Sequence, residues 1–126
     1  MVEHGVEVVV GSRADPVFGP VIMVGIGGVH VEIMRDVAFG ILPLTRRLAG
    51  RMLRRLKGYP LLTGARGSDP VDIEALETAL LRFAAILERH PEILEIEMNP
   101  LIARPDGVIA IDARSRVGTP FDPSNP

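Results

Sequence analysis

Leu94-Glu95-Ile96-Glu97-Met98-Asn99-Pro100-Leu101, answered across Pro105-Asp106-Gly107 by Ile109-Ala110-Ile111-Asp112-Ala113-Arg114, is the stretch on which the fold is decided. Leu94, Ile96 and Met98 alternate with Glu95, Glu97 and Asn99, the period-two pattern of a strand with one buried face. The turn returns the second run as a hairpin partner, with Ile109, Ile111 and Ala113 expected on the core side. Putting both apolar sets on one face requires paired positions whose numbers sum to an odd value. A loop of Arg104 to Gly107 meets this by pairing Ala103 with Val108, and hence Asn99 with Asp112. A tighter Asp106-Gly107 turn shifts the register by two and leaves every side chain on its face. Under either turn Glu97, Asn99 and Asp112 point the same way.

Two carboxylates and an amide oxygen grouped in this way are hard ligands suited to Mg²⁺, above all one shared with a nucleotide's phosphates. The simpler reading of the same spacing is the solvated outer face of an amphipathic hairpin. Spacing alone favours that outer face, and Pro100 weakens it only slightly, by interrupting the hydrogen-bond ladder directly after Asn99.

Working outward, 126 residues with 47% hydrophobic content build one domain with an ample core. A net charge of −2 argues against a dedicated nucleic-acid binder. The basic residues are thirteen arginines and Lys57, so any phosphate-gripping lysine has one candidate. The absence of cysteine excludes a disulfide framework, a thiol nucleophile and a thiolate metal site. The apolar run Val17 to Val31 is broken by glycines, Pro20 and His30, which does not suit a membrane span. With no leader of signal type, a soluble cytoplasmic protein is expected.

Gly5 to Arg13 reads as a first strand, Val21 to Ile26 as a second, Val29 to Arg35 as a third and Val37 to Leu42 as a fourth. Thr45 is the expected N-cap of a helix with Leu48, Met52, Leu53 and Leu56 as its buried stripe, stopping at Gly58. Tyr59 to Ser68 reads as a loop. A second helix is expected to begin at Asp69-Pro70, with Ile73, Leu76, Leu80, Phe83, Ala84 and Leu87 at helical spacing, and to end near His90. The expected class is α+β: a largely antiparallel sheet with two helices on one face. Residues 1–117 would form one lobe, and 118–126 a proline-rich, poorly ordered tail.

Other candidate sites are weaker. Gly25, Gly27 and Gly28 precede an expected strand, so a tight turn suits them better than a phosphate loop, which needs a helix N-terminus. Arg66 sits in an open glycine-containing loop, suited either to a phosphate or carboxylate or simply to solvent. His4, His30 and His90 are dispersed and lack metal-ligand spacing.

Six blocks in order resemble a known family: Gly5 to Gly11; Asp15 to Pro20; Gly25-Ile26-Gly27-Gly28-Val29 with Val31-Glu32; Leu56-Lys57-Gly58-Tyr59-Pro60-Leu61-Leu62 with Gly64-Ala65-Arg66-Gly67; Glu97 to Leu101; and Asp112-Ala113-Arg114. Together they resemble the C-terminal lobe of the ATP-grasp domain of NDP-forming acyl-CoA synthetases. This is the ADP-forming acetyl-CoA synthetase family, related to the succinyl-CoA synthetase β subunit. The resemblance implies Mg²⁺ and ATP or ADP as cofactors, with Asp112 and the Asn99 side-chain oxygen as metal ligands and Glu97 as a third ligand or a supporting group. It also brings Glu32 and Arg66 near the nucleotide phosphates. Glu7 and Asp15 match recurring positions without an assigned role.

That family interconverts an acyl-CoA and its free acid while making or consuming ATP, through a phosphohistidine carried between domains. The resemblance implies a half-site that needs the N-terminal ATP-grasp lobe and the CoA-ligase domains, in cis or in trans. Lys57 does not match the phosphate-binding lysine of the other lobe, and His30 does not inherit the phosphohistidine. The alternative is a non-catalytic remnant acting as an interaction module, its exposed sheet face covered by a second copy in a homodimer. Neither reading calls for nucleic acid or membrane.

Overall fold

Val8, Val9 and Val10 form a β-branched run at the centre of β1 (Val6–Asp15), and all three are buried. A computed structural model of the chain describes residues 5–27, 36–64 and 69–118. Asp15 ends β1 by accepting hydrogen bonds on Oδ1 from the Val17 and Phe18 N–H groups (2.8 and 3.0 Å), and Gly19 takes the positive φ of +72° that completes the turn. Those two N–H donors hold the Asp15 carboxyl below its ordinary pKa. The chain returns as β2 (Gly19–Ile26), which pairs antiparallel with both β1 and β3 (Val37–Ile41). The expected third strand, Val29 to Arg35, lies outside the described residues, as do Gly28, Glu32, Arg66 and the tail beyond Gly118.

Thr45 caps α1 (Arg46–Arg55) by accepting the Leu48 N–H at 3.2 Å, as expected. Ala49, Gly50, Met52 and Leu53 form its buried face, joined by Leu56; Leu48 is exposed and Ala49 takes the place expected for it. The helix stops short of Gly58 because the Lys57 and Gly58 N–H groups turn away to the Asp36 carboxylate (2.6 and 2.7 Å). The expected loop then contains a one-turn helix, α2 (Tyr59–Leu62), with Pro60 in its first turn. The last helix, α3 (Ile73–Arg89), begins later than expected. The Val71 and Asp72 N–H groups bond to Leu62 and Arg104 carbonyls, and the Asp72 side chain caps Ala75 at 2.9 Å. Leu76, Leu80, Phe83, Ala84 and Leu87 are buried, as the spacing predicts.

The hairpin is β4 (Ile93–Arg104), β5 (Gly107–Ala110) and β6 (Ala113–Val117). Ala103 pairs with Val108, the register expected, and the ladder closes at Arg104–Gly107 around Pro105-Asp106. The described strands form one antiparallel sheet in the order β3-β2-β1-β4-β5, with β6 continuing along β4. Val8, Val10, Ile22, Val24, Leu101 and Ala103 meet α1 and α3 on one face. The architecture is thus α+β with helices on one side of an antiparallel sheet, as read from the sequence, with α2 as an additional helix. No described helix is long and apolar enough to cross a membrane.

One facing assignment is corrected. Val108 packs against the core, and Ala110 lines the helix side beside Leu101, whereas Ile109 and Ile111 are exposed. The cause is a bulge. Val8 pairs with Leu101 and Val10 with Met98, so Asn99 and Pro100 together oppose Val9. Met98 and Leu101, three apart, both face the helices, and Ala110 and Ala113 across the hairpin do the same.

Candidate functional site

The bulge that flips the alternation also builds the site. Pro100 has no N–H to give to the ladder, so the pairing of β4 is irregular there although the strand runs on, and the opposite chain breaks at Ile111-Asp112, between β5 and β6. Two backbone bonds hold the interruption: Asn99 N–H to the Asp112 carbonyl (3.2 Å) and Ile111 N–H to the Pro100 carbonyl (3.0 Å). Asn99 and Asp112 therefore stand opposite one another. With Glu97, Ala113 and Arg114 they line a cleft of about 160 Å³. The structure thus brings together the three residues singled out in the hairpin.

The donor set suits a hard cation. The Asn99 amide donates Nδ2–H to Glu97 Oε1 at 3.1 Å, which leaves Oδ1 as a free acceptor. Asp112 Oδ1 accepts the Ala113 N–H at 2.9 Å, and Oδ2 remains available, 3.9 Å from Arg114 Nε. Among the described residues no cluster of three or more His, Cys, Asp or Glu side chains is placed to hold a metal. The grouping here reaches three oxygen donors only by including the Asn99 amide.

On the sheet face away from the helices, side chains form cross-strand rows. One row runs Phe39, Met23, Gly11, Glu97, Arg114, and the next runs Ile41, Val21, Arg13, Glu95, Arg116. All of these residues except Ile41 line a broad groove of about 740 Å³ that adjoins the small cleft at Glu97 and Arg114. Glu95 bridges two guanidiniums, Arg116 Nε at 3.1 Å and Arg13 Nε at 3.2 Å. The Arg116 hydrogen bond, followed by the weaker effect of Arg13, holds the Glu95 carboxyl below its ordinary pKa. Sequence reasoning assigned no role to Arg114 or to this ladder. A signal was present, because the Ala103–Val108 register extended down the hairpin sets Glu97 against Arg114 and Glu95 against Arg116. Lys57 sits at the α1–α2 corner, where its N–H bonds to Asp36.

Comparison with known proteins places this geometry in context. Residues 1–117 match a family model described as an ATP-grasp domain. The chain is 47% identical over 114 residues to the beta subunit of ADP-forming acetate–CoA ligase I of Pyrococcus furiosus, covering 90% of this chain and 49% of that subunit. It is 46% identical over 118 residues to ADP-forming acetate–CoA ligase I of Archaeoglobus fulgidus, covering 94% of this chain and 17% of that protein. The chain thus spans at most about half the length of these relatives. Among solved structures, it is similar to dinucleotide-forming acetyl-coenzyme A synthetase 1 of Ca. Korarchaeum cryptofilum in complex with coenzyme A and Mg-AMPPCP. The TM-score is 0.88 at 46% identity, over 93% of this chain and 55% of that one.

Proposed function

The chain belongs to the ATP-grasp domain family, and from that premise we propose that it forms one wall of a Mg²⁺–nucleotide site in an ADP-forming acyl-CoA synthetase. The observation that carries this reading is the placement of Asn99 opposite Asp112, with Glu97 holding the Asn99 amide, on the grooved face of the sheet. Asn99 Oδ1 and Asp112 Oδ2 hold the cation, and Glu97 fixes the Asn99 rotamer or adds a third oxygen. A bound Mg²⁺ supplies neutralisation of phosphate charge there. Glu32 and Arg66 are assigned to the phosphate surroundings on the family resemblance alone.

In this reading the chain is a half-site. It completes phosphoryl transfer, coupled to acyl-CoA and acid interconversion, only with the second ATP-grasp lobe and the CoA-ligase domains, in cis or in trans. The breadth of the groove and the exposure of Glu97, Asn99 and Asp112 support an open wall that a second lobe covers. Exposed Phe39 and Ile41 on the same face favour a protein surface as part of that cover. They are also the observation behind the second reading, a non-catalytic module closed by another copy of itself.

Calorimetric titration with ATP and ADP, with and without Mg²⁺, tests the proposal. Saturable binding that requires Mg²⁺ supports the half-site. No binding at millimolar nucleotide, together with a dimer in sedimentation that nucleotide does not perturb, would overturn it in favour of the second reading.

A further inference from the structure

Arg114 and Glu97 are the two residues that line both the small acidic cleft and the broad groove. Three arginines occupy this part of the sheet face, and they are not equivalent. Arg13 and Arg116 are both committed to Glu95. The Arg114 side chain makes no hydrogen bond among the described residues; its one ion pair there, Nε to Asp112 Oδ2, spans 3.9 Å, and the side chain is 86% exposed. So loose and solvated a pair contributes little and costs little to leave. Its partner, Asp112, is also the carboxylate best placed to take a cation.

We infer that Arg114 is a phosphate-binding arm, engaging the terminal phosphate of a nucleoside di- or triphosphate at the junction of cleft and groove. The inference rests on the Mg²⁺–nucleotide reading above and adds a residue to it. A guanidinium fork matches phosphate oxygens in a way that a point charge does not. A cation taken by Asn99 and Asp112 cancels the charge that draws Arg114 toward Asp112, and the arm is left facing the groove. Cation and phosphate then bind cooperatively through Asp112, and Arg114 opposes the cation when no phosphate is present.

Those two effects have opposite signs, which makes the arm testable. Mn²⁺ binding without nucleotide is read by electron paramagnetic resonance. Mg-ATP, Mg-ADP and Mg-AMP binding is read by calorimetry on the wild-type chain, Arg114→Gln, Arg114→Lys and Arg51→Gln, which removes the same charge from exposed α1. The expected result for Arg114→Gln is about a tenfold or greater loss of Mg-ATP and Mg-ADP affinity, with Mn²⁺ affinity unchanged or raised. Arg114→Lys should recover part of the loss, and Arg51→Gln should match wild type. Unchanged nucleotide affinity in Arg114→Gln, or loss of Mn²⁺ and nucleotide together, overturns the arm. Wild-type chain that binds Mn²⁺ but no nucleotide also overturns it while sparing the cation site. Wild-type chain that binds neither overturns the site reading itself.

Discussion

The N–H of Asn99 donates to the carbonyl of Asp112 at 3.2 Å, and this cross-strand bond sets the spacing of the two side chains best suited to a cation. Both side chains are exposed, so the backbone holds the geometry and the side chains are free to be changed. Asp112→Asn is therefore expected to weaken Mg²⁺-dependent nucleotide binding by at least about tenfold while leaving the thermal midpoint near wild type. Calorimetry beside a thermal melt checks both; unaltered affinity would remove Asp112 from the site.

Glu97 has two possible duties, and two substitutions separate them. Its Oε1 accepts the Asn99 amide at 3.1 Å. Gln at 97 keeps an acceptor there, whereas Ala does not. If Glu97 orients Asn99, Glu97→Gln should bind Mn²⁺ close to wild type and Glu97→Ala about tenfold more weakly. Equal losses in both variants would show that the carboxylate charge itself holds the cation.

The legibility of this chain follows the physics of each signal. The stripes of α1 and α3 come through because burial recurs at 3.6 residues; α3 differs only in that Ile73 at its start is half-buried, and α1 in that Ala49 and Gly50 are buried while Leu48 is exposed. The hairpin register is readable because a turn signal and strand parity act together, giving Ala103 opposite Val108. What escapes is set by partners distant in sequence. Val71 and Asp72 stay out of α3 because Leu62 and Arg104 carbonyls hold their N–H groups. Four residues of α2 are too few to show a period. Pro100 announces an irregularity in the β4 ladder, yet not that the facing of the opposite chain changes with it, so alternation alone puts Ile109 and Ile111 on the wrong face.

Asp36 is the one charged residue buried among those described, 6% exposed, and both carboxylate oxygens accept backbone N–H groups at the α1–α2 corner. Removing it strands the Lys57 and Gly58 donors. Asp36→Ala should cost about 2–4 kcal/mol of folding stability, read as a shifted urea midpoint with an unchanged slope. Asp36→Asn, which keeps one acceptor, should cost less. An Asp36→Ala midpoint equal to wild type would mean that water satisfies the corner equally well.

Glu95 supplies a pH test of the charged ladder beside the site. Arg116, and secondarily Arg13, hold its folded-state pKa below the ordinary glutamate value. For a depressed carboxyl, the linked stabilisation is fully present above the unfolded-state pKa and is lost as pH falls through the folded one. Carbon-13 NMR of the Glu95 carboxyl should show a midpoint below that of an unperturbed glutamate, near 4.3. Arg116→Gln should raise that midpoint more than Arg13→Gln, because the Arg116 hydrogen bond is the larger cause. The ladder is exposed, so added salt should also move the midpoint toward the ordinary value. Equal midpoints in wild type and Arg116→Gln would mean that the bridge is not held in solution, and the floor of the groove beside Arg114 would then carry three independent charges.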